Sequence, residues 1–289
     1  MQEAAVSVAT GAKINICLEI LGVRNDGYHE LRSLFAPVAH PSDTLHLSPL
    51  PRSGGLALSC SDPELEGTTN ILHKAYEAFA AATGERPGVE VFLEKGIPAG
   101  SGLGGASADA AALLGYLNGQ LLSEARLEYR ELLPVAASVG SDVPFFLMNR
   151  TAWVTGAGER VASAEAEPSL EGLVIVCPDI VVSTAWAYRE YDRWMARGEG
   201  LESLTSQRKA FKDYFCSSGQ LWRNDFEAVI LPAYPELRSL KYRLFQLGAR
   251  AVTLNGSGSS LTALFPTSAA VERCQGFLEQ HGLAHYFAA

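Results

Sequence analysis

The chain is short of several things, and each shortage narrows its function. Its five cysteines (Cys17, Cys60, Cys177, Cys216, Cys274) are an odd number, lie far apart and include no C-x-x-C. Nothing here builds a disulfide framework, and a reducing, cytoplasmic setting is expected. His40, His46, His73, His281 and His285 are scattered without metal-ligand spacing. Basic residues are also few: 23 Lys and Arg stand against 32 Asp and Glu, for a net charge of −9. With no basic run, a nucleic-acid partner is not expected. No apolar run approaches the roughly 20 residues of a membrane helix, so no membrane partner is expected. The opening M-Q-E-A-A-V-S-V-A-T lacks the basic start of a secretion signal.

Familiar catalytic motifs are missing too. There is no G-x-x-x-x-G-K-[ST], no H-R-D or D-F-G pair, no H-E-x-x-H and no G-x-S-x-G. Internal repeats and low-complexity tracts are likewise absent. What remains is a chain of 289 residues, 47% hydrophobic. That exceeds the length at which single cores usually divide. A two-domain α/β enzyme is expected, acting on a small molecule as a monomer or homodimer.

The most informative stretch runs K-G-I-P-A-G-S-G-L-G-G-A-S-A-D-A-A-A from Lys95 to Ala112. Gly100, Gly102, Gly104 and Gly105 crowd its middle, and an alanine-rich, helix-favouring run follows. Glycine permits positive φ and leaves no Cβ to block a ligand. A glycine loop feeding a helix N-terminus presents unpaired N–H groups backed by the helix dipole. That is an anion site, most often for phosphate. The stretch also satisfies G-x-G-x-x-G. The acidic residues about 20 positions on, Glu124 and Glu128, fall in a helical stretch instead of ending a second strand, which disfavours a nicotinamide dehydrogenase.

Around the loop the residues read as follows. Thr10 to Leu21 alternates as a strand, with Lys13 and Asn15 on one face among apolar neighbours, as if lining a cleft. Asn25-Asp26-Gly27 is a turn, followed at once by Tyr28 and His29. Leu34–Val38 and Thr44–Leu47 read as two short strands turned at Pro41-Ser42-Asp43, and Leu56–Ser59 as another. Asn70 caps a helix over Ile71–Ala82, and Val89–Glu94 is a strand leading into the loop. A helix over Ser123–Val139 is broken near Pro134. Asp142 precedes an apolar, strand-like Val143–Leu147, a costly place for a carboxylate unless it is paired or used. Beyond the loose segment Ala162–Leu170 come a strand at Leu173–Cys177 and an aromatic-rich Ser183–Trp194. A surface helix over 197–220 and helices at Asn224–Val229 and Pro235–Leu247 follow. A strand at Ala251–Leu254 opens into a second glycine loop, N-G-S-G-S-S-L, and a strand at Leu261–Phe265 and a helix at Ala269–His281 end the pattern. Two glycine loops, one per domain, can close on one ligand from two sides.

The loop at residues 98–112 resembles the phosphate loop of the GHMP small-molecule kinases. Four further blocks resemble the same family in order: Ala12-Lys13-Ile14-Asn15, Asp26-Gly27-Tyr28-His29, Gly140-Ser141-Asp142-Val143-Pro144-Phe145-Phe146, and Gly256-Ser257-Gly258-Ser259. The second and third narrow it to the branch acting on cytidine-diphosphate-linked methylerythritol, a step of non-mevalonate isoprenoid synthesis. The resemblance implies ATP and Mg²⁺, with Asp142 as general base and Lys13 as its catalytic partner. It implies nucleotide contacts from Lys95, Pro98, Ala99, Gly100, Ser101, Gly102, Leu103, Gly104, Gly105, Ala106 and Ser107. For the substrate it implies Asn15, Tyr28 stacking on cytosine, His29 bonding its edge, Tyr188 as a second stacking aromatic, and Gly256, Ser257 and Gly258. In place of Tyr188, Trp186 or Tyr191 can take the stacking role. No carboxylate presents itself for Mg²⁺, and Ser107 is the one candidate hydroxyl. Ala106, Ala108, Ser141 and Asn255 depart from the family pattern. The implied fold is α/β (α+β), with a ribosomal S5 domain 2-like nucleotide-binding domain over 1–162 and a ferredoxin-like domain over 163–289. A homoserine or mevalonate type of GHMP kinase and a non-catalytic sensor on the same fold are the alternatives.

Overall fold

The structure, a computed structural model, describes residues 5–51, 54–198 and 222–287. The surface helix expected over 197–220 lies, from 199 onward, outside the described residues.

The first sheet grows from one long hairpin. Strand β1 (Val6–Val23) pairs antiparallel with β2 (His29–Leu50). The Asn25-Asp26-Gly27 turn closes it: Arg24 donates its N–H to the Tyr28 carbonyl at 2.7 Å, and the Asp26 carboxylate accepts from the Tyr28 N–H at 3.1 Å. The two short strands expected between 34 and 47 are one strand. Thr10 pairs with Asp43 and Ala12 with Val38, so residues 39–42 bulge out opposite Gly11. Pro41, which has no N–H for a ladder, sits in that bulge. The turn signal was real, but it marks an irregularity inside one strand.

The rest of the sheet builds mainly on the edge of β2 that faces away from β1. Strand β3 (Leu56–Cys60) runs parallel to β4 (Gly88–Glu94), which pairs with β2 from Thr44 to Leu50. Farther up, β5 (Ala152–Gly156) pairs with Leu31–Phe35 and carries β6 (Arg160–Ser163) outside it. Helices α1 (Ile71–Thr83), α2 (Gly105–Gly119) and α3 (Tyr129–Val139) cover this sheet. They bury Phe79, Leu72, Leu113 and Leu114 against Leu45, Leu47, Val89 and Val91. Asn70 caps α1 as expected, accepting from the Leu72 N–H at 2.9 Å. The break expected at Pro134 comes earlier. A 3₁₀ turn at Ser123–Ala125 precedes α3, and a Glu128/Glu131 capping box fixes the helix start at Tyr129. The run at Val143–Met148 is a short helix, α4, not a strand; Pro144 lies in its first turn, where a missing N–H costs nothing.

The second sheet has order β11-β7-β10-β9, from β7 (Leu173–Cys177), β9 (Ala251–Leu254), β10 (Leu261–Leu264) and β11 (Ala284–Phe287), the last not anticipated. All its pairs are antiparallel. Helices α5 (Thr184–Ala196), α6 (Glu227–Ala233), α7 (Pro235–Gln246) and α8 (Ser268–Gln280) complete this half. The strand order and the placing of α5 and α8 between strands give the expected ferredoxin-like arrangement. Asn224, expected in a helix, belongs instead to β8 (Arg223–Asn224), which pairs parallel with β1 at Cys17 and Leu18.

The middle of β1 is therefore buried on both faces. Ile14, Ile16 and Cys17 share a core with Leu34, Leu103, Ile175 and Leu264, drawn from both sheets. Lys13 and Asn15 sit inside this seam.

Phe79 is fully buried under the first sheet. Phe79→Ala is expected to cost about 3–5 kcal/mol, read as a lowered urea midpoint at unchanged slope.

Candidate active site

The glycine loop leaves β4 and turns into α2. Gly100, Gly102 and Gly104 hold φ of 67°, 80° and 78°, a left-handed region costly for other residues. Successive turns of this kind aim backbone N–H groups into a concavity suited to anions. Gly104 is the cap residue of α2, and no side chain caps the first turn. Those donors face the space before the helix, with the positive dipole end behind them.

Lys13 is fixed to this loop from below, its N–H donating to the Leu103 carbonyl at 2.9 Å. A Cβ added to Gly104 would stand 3.2 Å from the Lys13 Cγ and 2.9 Å from the Phe146 ring. The Lys13 side chain is 3% exposed, its Nζ lying 3.9 Å from the Asp142 Oδ2. Nζ donates to the Asn15 Oδ1 at 2.7 Å and sits 4.5 Å above the Phe35 ring. Burial pushes its pKa below the ordinary 10.5, and Asp142 opposes that shift. Asp142 sits at the start of α4, with a side chain 27% exposed. The apolar neighbours that made this carboxylate look costly, Val143 and Phe145, are buried by the helix, while the carboxylate stays at its rim.

Asn15, expected to face the substrate, is fully buried and bonded within the protein. Its Oδ1 accepts from Lys13 and from the Gly256 N–H at 2.7 Å, and its Nδ2 donates to the Ser33 Oγ at 2.9 Å. It holds Lys13 and the second glycine loop in register. Asn255, which opens that loop, is also fully buried. Its Oδ1 accepts from the Asn15 N–H at 3.2 Å, and its Nδ2 donates to the Ser260 Oγ at 3.0 Å. The two loops meet directly: the Ser101 carbonyl accepts from the Ser260 N–H at 3.1 Å and from its Oγ at 2.6 Å. Gly256 lies beside Lys13, where an added Cβ would be 3.6 Å from Nζ. Ser257 hydrogen-bonds the Thr184 hydroxyl at 2.7 Å, and the Gly258 N–H donates to the Asn255 carbonyl at 2.8 Å.

Lys95, expected among the nucleotide contacts, gives its ammonium to Asp43 and Asp109, two buried carboxylates that need a cation. Tyr188, expected as a stacking face for the base, is stacked on His29 with centroids 4.4 Å apart and meets Phe226 edge-on. Burial, with the Asp142 charge second, raises its pKa. Tyr191 is core and Trp186 packs edge-on against Tyr234, so neither is offered as an open ring face. Tyr28 is 65% exposed at the hairpin turn. The His29 Nε2 lies 2.7 Å from the Asp192 Oδ1; since a carboxylate only accepts, Nε2 carries the proton. Asp192 is one of the residues sequence reasoning missed. So are Thr10, Ser33 and Asp43, which carry no motif. Asp109, inside the glycine stretch, and Asn255, a noted departure, did carry a signal.

These contacts bring one buried ammonium, one rim carboxylate and two glycine loops into a single cleft. Comparison with known proteins agrees. Residues 70–150 match the family model of the GHMP kinases N terminal domain, and residues 204–283 match GHMP kinases C terminal. Over 257 residues the chain is 44% identical to the 4-diphosphocytidyl-2-C-methyl-D-erythritol kinase of Solidesulfovibrio magneticus, across 88% of this chain and 86% of that protein. The chain belongs to the GHMP kinases. This GHMP kinase is also 39% identical to the protein of the same name from Lawsonia intracellularis, across 92% of its own chain and 90% of the relative. A crystal structure of 4-(cytidine 5'-diphospho)-2C-methyl-D-erythritol kinase superposes with a TM-score of 0.74 at 30% identity, over 97% of each chain. Homoserine kinase from Cytophaga hutchinsonii shares the fold, with a TM-score of 0.65 at 19% identity over 99% of this chain and 95% of that one. As a member of this family the kinase transfers a phosphoryl group from ATP to a small molecule.

A Cβ on Gly102 would stand 2.0 Å from the Asn255 carbonyl oxygen, at a φ of 80°. Gly102→Ala is expected to cost about 2–4 kcal/mol by strain and by parting the two loops, measured by chemical denaturation.

Proposed function

We propose that the kinase phosphorylates the 2-hydroxyl of 4-diphosphocytidyl-2-C-methyl-D-erythritol with ATP, in non-mevalonate isoprenoid synthesis. The observation that carries the chemistry is the Lys13–Asp142 pair at 3.9 Å, beside the glycine loop. The relatives' names support the substrate. The chain's domains would divide near residue 162, between the strand pair β5–β6 and the first strand of the second sheet, β7, with β8 returning later to the first sheet.

Phosphoryl transfer asks a protein mainly for positioning and for offsetting charge. The N–H groups of the glycine loop and of the α2 start would cradle the triphosphate. A tertiary alcohol is a weak nucleophile, so a carboxylate must take its proton as the new P–O bond forms. Asp142 has the exposure to meet such a hydroxyl. As the alcohol oxygen bonds the γ-phosphorus, the bond to the leaving ADP oxygen breaks and Asp142 holds the proton. The Lys13 ammonium, held by Asn15, offsets charge on the transferring group. Mg²⁺ bound to the nucleotide neutralises phosphate charge. Among the described residues no group of three His, Cys, Asp or Glu side chains forms a metal site. Mg²⁺ would sit on the triphosphate, as that ion usually binds, with Ser107 as the candidate protein ligand.

Tyr28 and His29 would recognise the base. With Nε2–H given to Asp192, the Nδ1 side of the ring is the one left to meet the edge of cytosine. Tyr188 braces the ring from behind.

The direct test is turnover of the cytidine-linked alcohol against homoserine and mevalonate, followed by coupled ADP release; no turnover of the cytidine compound would sink the assignment. Asp142→Asn is expected to lower kcat by about 10²–10⁴-fold with the fold intact. Full turnover in that variant would remove Asp142 as the base. In the wild type, activity should fall on the alkaline side as Lys13 loses its proton, at a pH below the ordinary 10.5. His29→Ala should raise KM for the cytidine substrate by about tenfold or more, with kcat less affected. Equal KM values would place base recognition elsewhere.

A further inference from the structure

Beneath the glycine loop lies a buried ionic trio that the transfer chemistry does not use. Asp43 on β2 and Asp109 in α2 are nearly inaccessible, and Lys95 lies between them. The Asp43 Oδ1 accepts from the Gly96 and Ile97 N–H groups, each at 2.7 Å, the residues that open the loop. Its Oδ2 pairs with the Lys95 ammonium. The same ammonium donates to the Asp109 Oδ2 at 3.1 Å. Asp109 belongs to the helix that closes the loop, and its Oδ1 accepts from the Thr10 hydroxyl at 2.8 Å. Gly105, the first residue of that helix, packs against the same place: an added Cβ would meet the Asp43 Oδ2 at 3.1 Å. Both ends of the loop are therefore tied to one cluster.

We propose that Asp43, Lys95 and Asp109 form a positioning clamp that holds the glycine loop in its nucleotide-binding shape, and that the clamp grips fully only when Asp109 is ionised. This rests on the loop being the nucleotide's cradle. The trio is a poor device for stability alone, because buried ions lose hydration that apolar residues would not miss. It also carries two carboxylates for one ammonium. Around it stand Thr10 from β1 and Tyr286 from β11, whose hydroxyl donates to the Gly96 carbonyl at 3.4 Å. Neither supplies a second positive charge.

Burial raises the Asp109 pKa to about 7, with Lys95 opposing the shift and Asp43 adding to it. Protonation there removes the charge from the Lys95–Asp109 link and loosens α2 from the loop entrance. The sign of the linkage separates this role from a structural one. A carboxyl whose folded pKa lies above its unfolded value near 3.8 contributes stability at low pH, and loses it as pH rises through about 7. Fold stability and grip on the loop thus move in opposite directions with pH. A cluster that merely held the fold would move both together.

The experiment is calorimetric binding of a non-hydrolysable ATP analogue with Mg²⁺, without the alcohol, at pH about 6 and about 8. Wild type, Asp109→Asn and Lys95→Met are compared, with a thermal melt of each. Every protein meets the same ligand, so the ligand's own titration cancels in the ratios. Wild-type affinity is expected to be several-fold stronger at the higher pH. Asp109→Asn should bind about tenfold more weakly there, losing one charge-assisted hydrogen bond, with that pH dependence gone and the melting temperature held or raised. Lys95→Met should bind weakly at both pH values. Asp109→Asn binding as wild type with the same pH slope overturns the clamp. So does a parallel loss of melting temperature and affinity at pH about 8. A wild type that does not bind the analogue removes the cradle itself and the clamp with it.

Discussion

The carboxamide of Asn15 is the contact on which the rest of the cleft depends. One oxygen takes two donors, the Lys13 ammonium and the Gly256 N–H, both at 2.7 Å. The first belongs to the long hairpin and the second to the glycine loop of the other sheet. The amide nitrogen meanwhile reaches Ser33 on β2. A fully buried cation without a good acceptor is expensive, and Asp142, at 3.9 Å, is too far to replace that acceptor. Placing the ammonium, joining the sheets and closing the loops are thus one problem with one solution. Asn255 repeats it from the other side, accepting the Asn15 N–H and bonding Ser260 and Thr262.

This seam explains why the two charged groups, Lys13 and Asp142, differ in setting. Lys13 is on a strand buried on both faces, so its charge is held at a fixed point. Asp142 begins a six-residue helix pinned by buried Val143, Pro144 and Phe145, with Phe145 edge-on to Phe35. The backbone under the carboxylate is rigid, but its oxygens stay partly in water. On the proposed mechanism, the gap between the two charges would leave carboxylate lone pairs for a hydroxyl. A tight ion pair would have filled them, and full burial would have cost more than one ammonium at this distance returns.

How much of this was written in the sequence depends on range. Period-two alternation gave β1, and Asn70 marked the start of α1, because those signals act within one turn or one strand. The glycine loop and the pairing of Lys13 with Asp142 were legible because their residue types are hard to explain otherwise. Interactions that depend on distant partners were hidden. Pro41-Ser42-Asp43 looked like a turn because the strand that absorbs its bulge lies thirty residues earlier. Val143–Leu147 looked like a strand because so short an apolar run has no readable period. Lys95 beside the loop looked like a phosphate ligand, since neither Asp43 nor Asp109 can be placed next to it without the fold. Asn15 looked exposed to substrate for the same reason: its partners are Ser33 and Gly256.

The glycine loop, the strongest sequence signal, says least about which alcohol is phosphorylated. The homoserine kinase described above shares this fold, so the fold alone does not name the alcohol. A loop that binds phosphate through backbone N–H groups needs glycines and a helix start, and it tolerates almost any acceptor in front of it. Discrimination must come from side chains that touch the acceptor's own features. On the proposed function, such side chains gather at the far end of the long hairpin. There His29 is squeezed between Tyr188 and Asp192, and Tyr28 stands open. The same β1–β2 pair thus carries Lys13 in its buried middle and the proposed recognition residues, Tyr28 and His29, next to its turn. On that proposal, its stiffness would fix the distance between the reacting hydroxyl and the recognised group. A substrate lacking that second group would reach the ammonium and the carboxylate with nothing to hold it there.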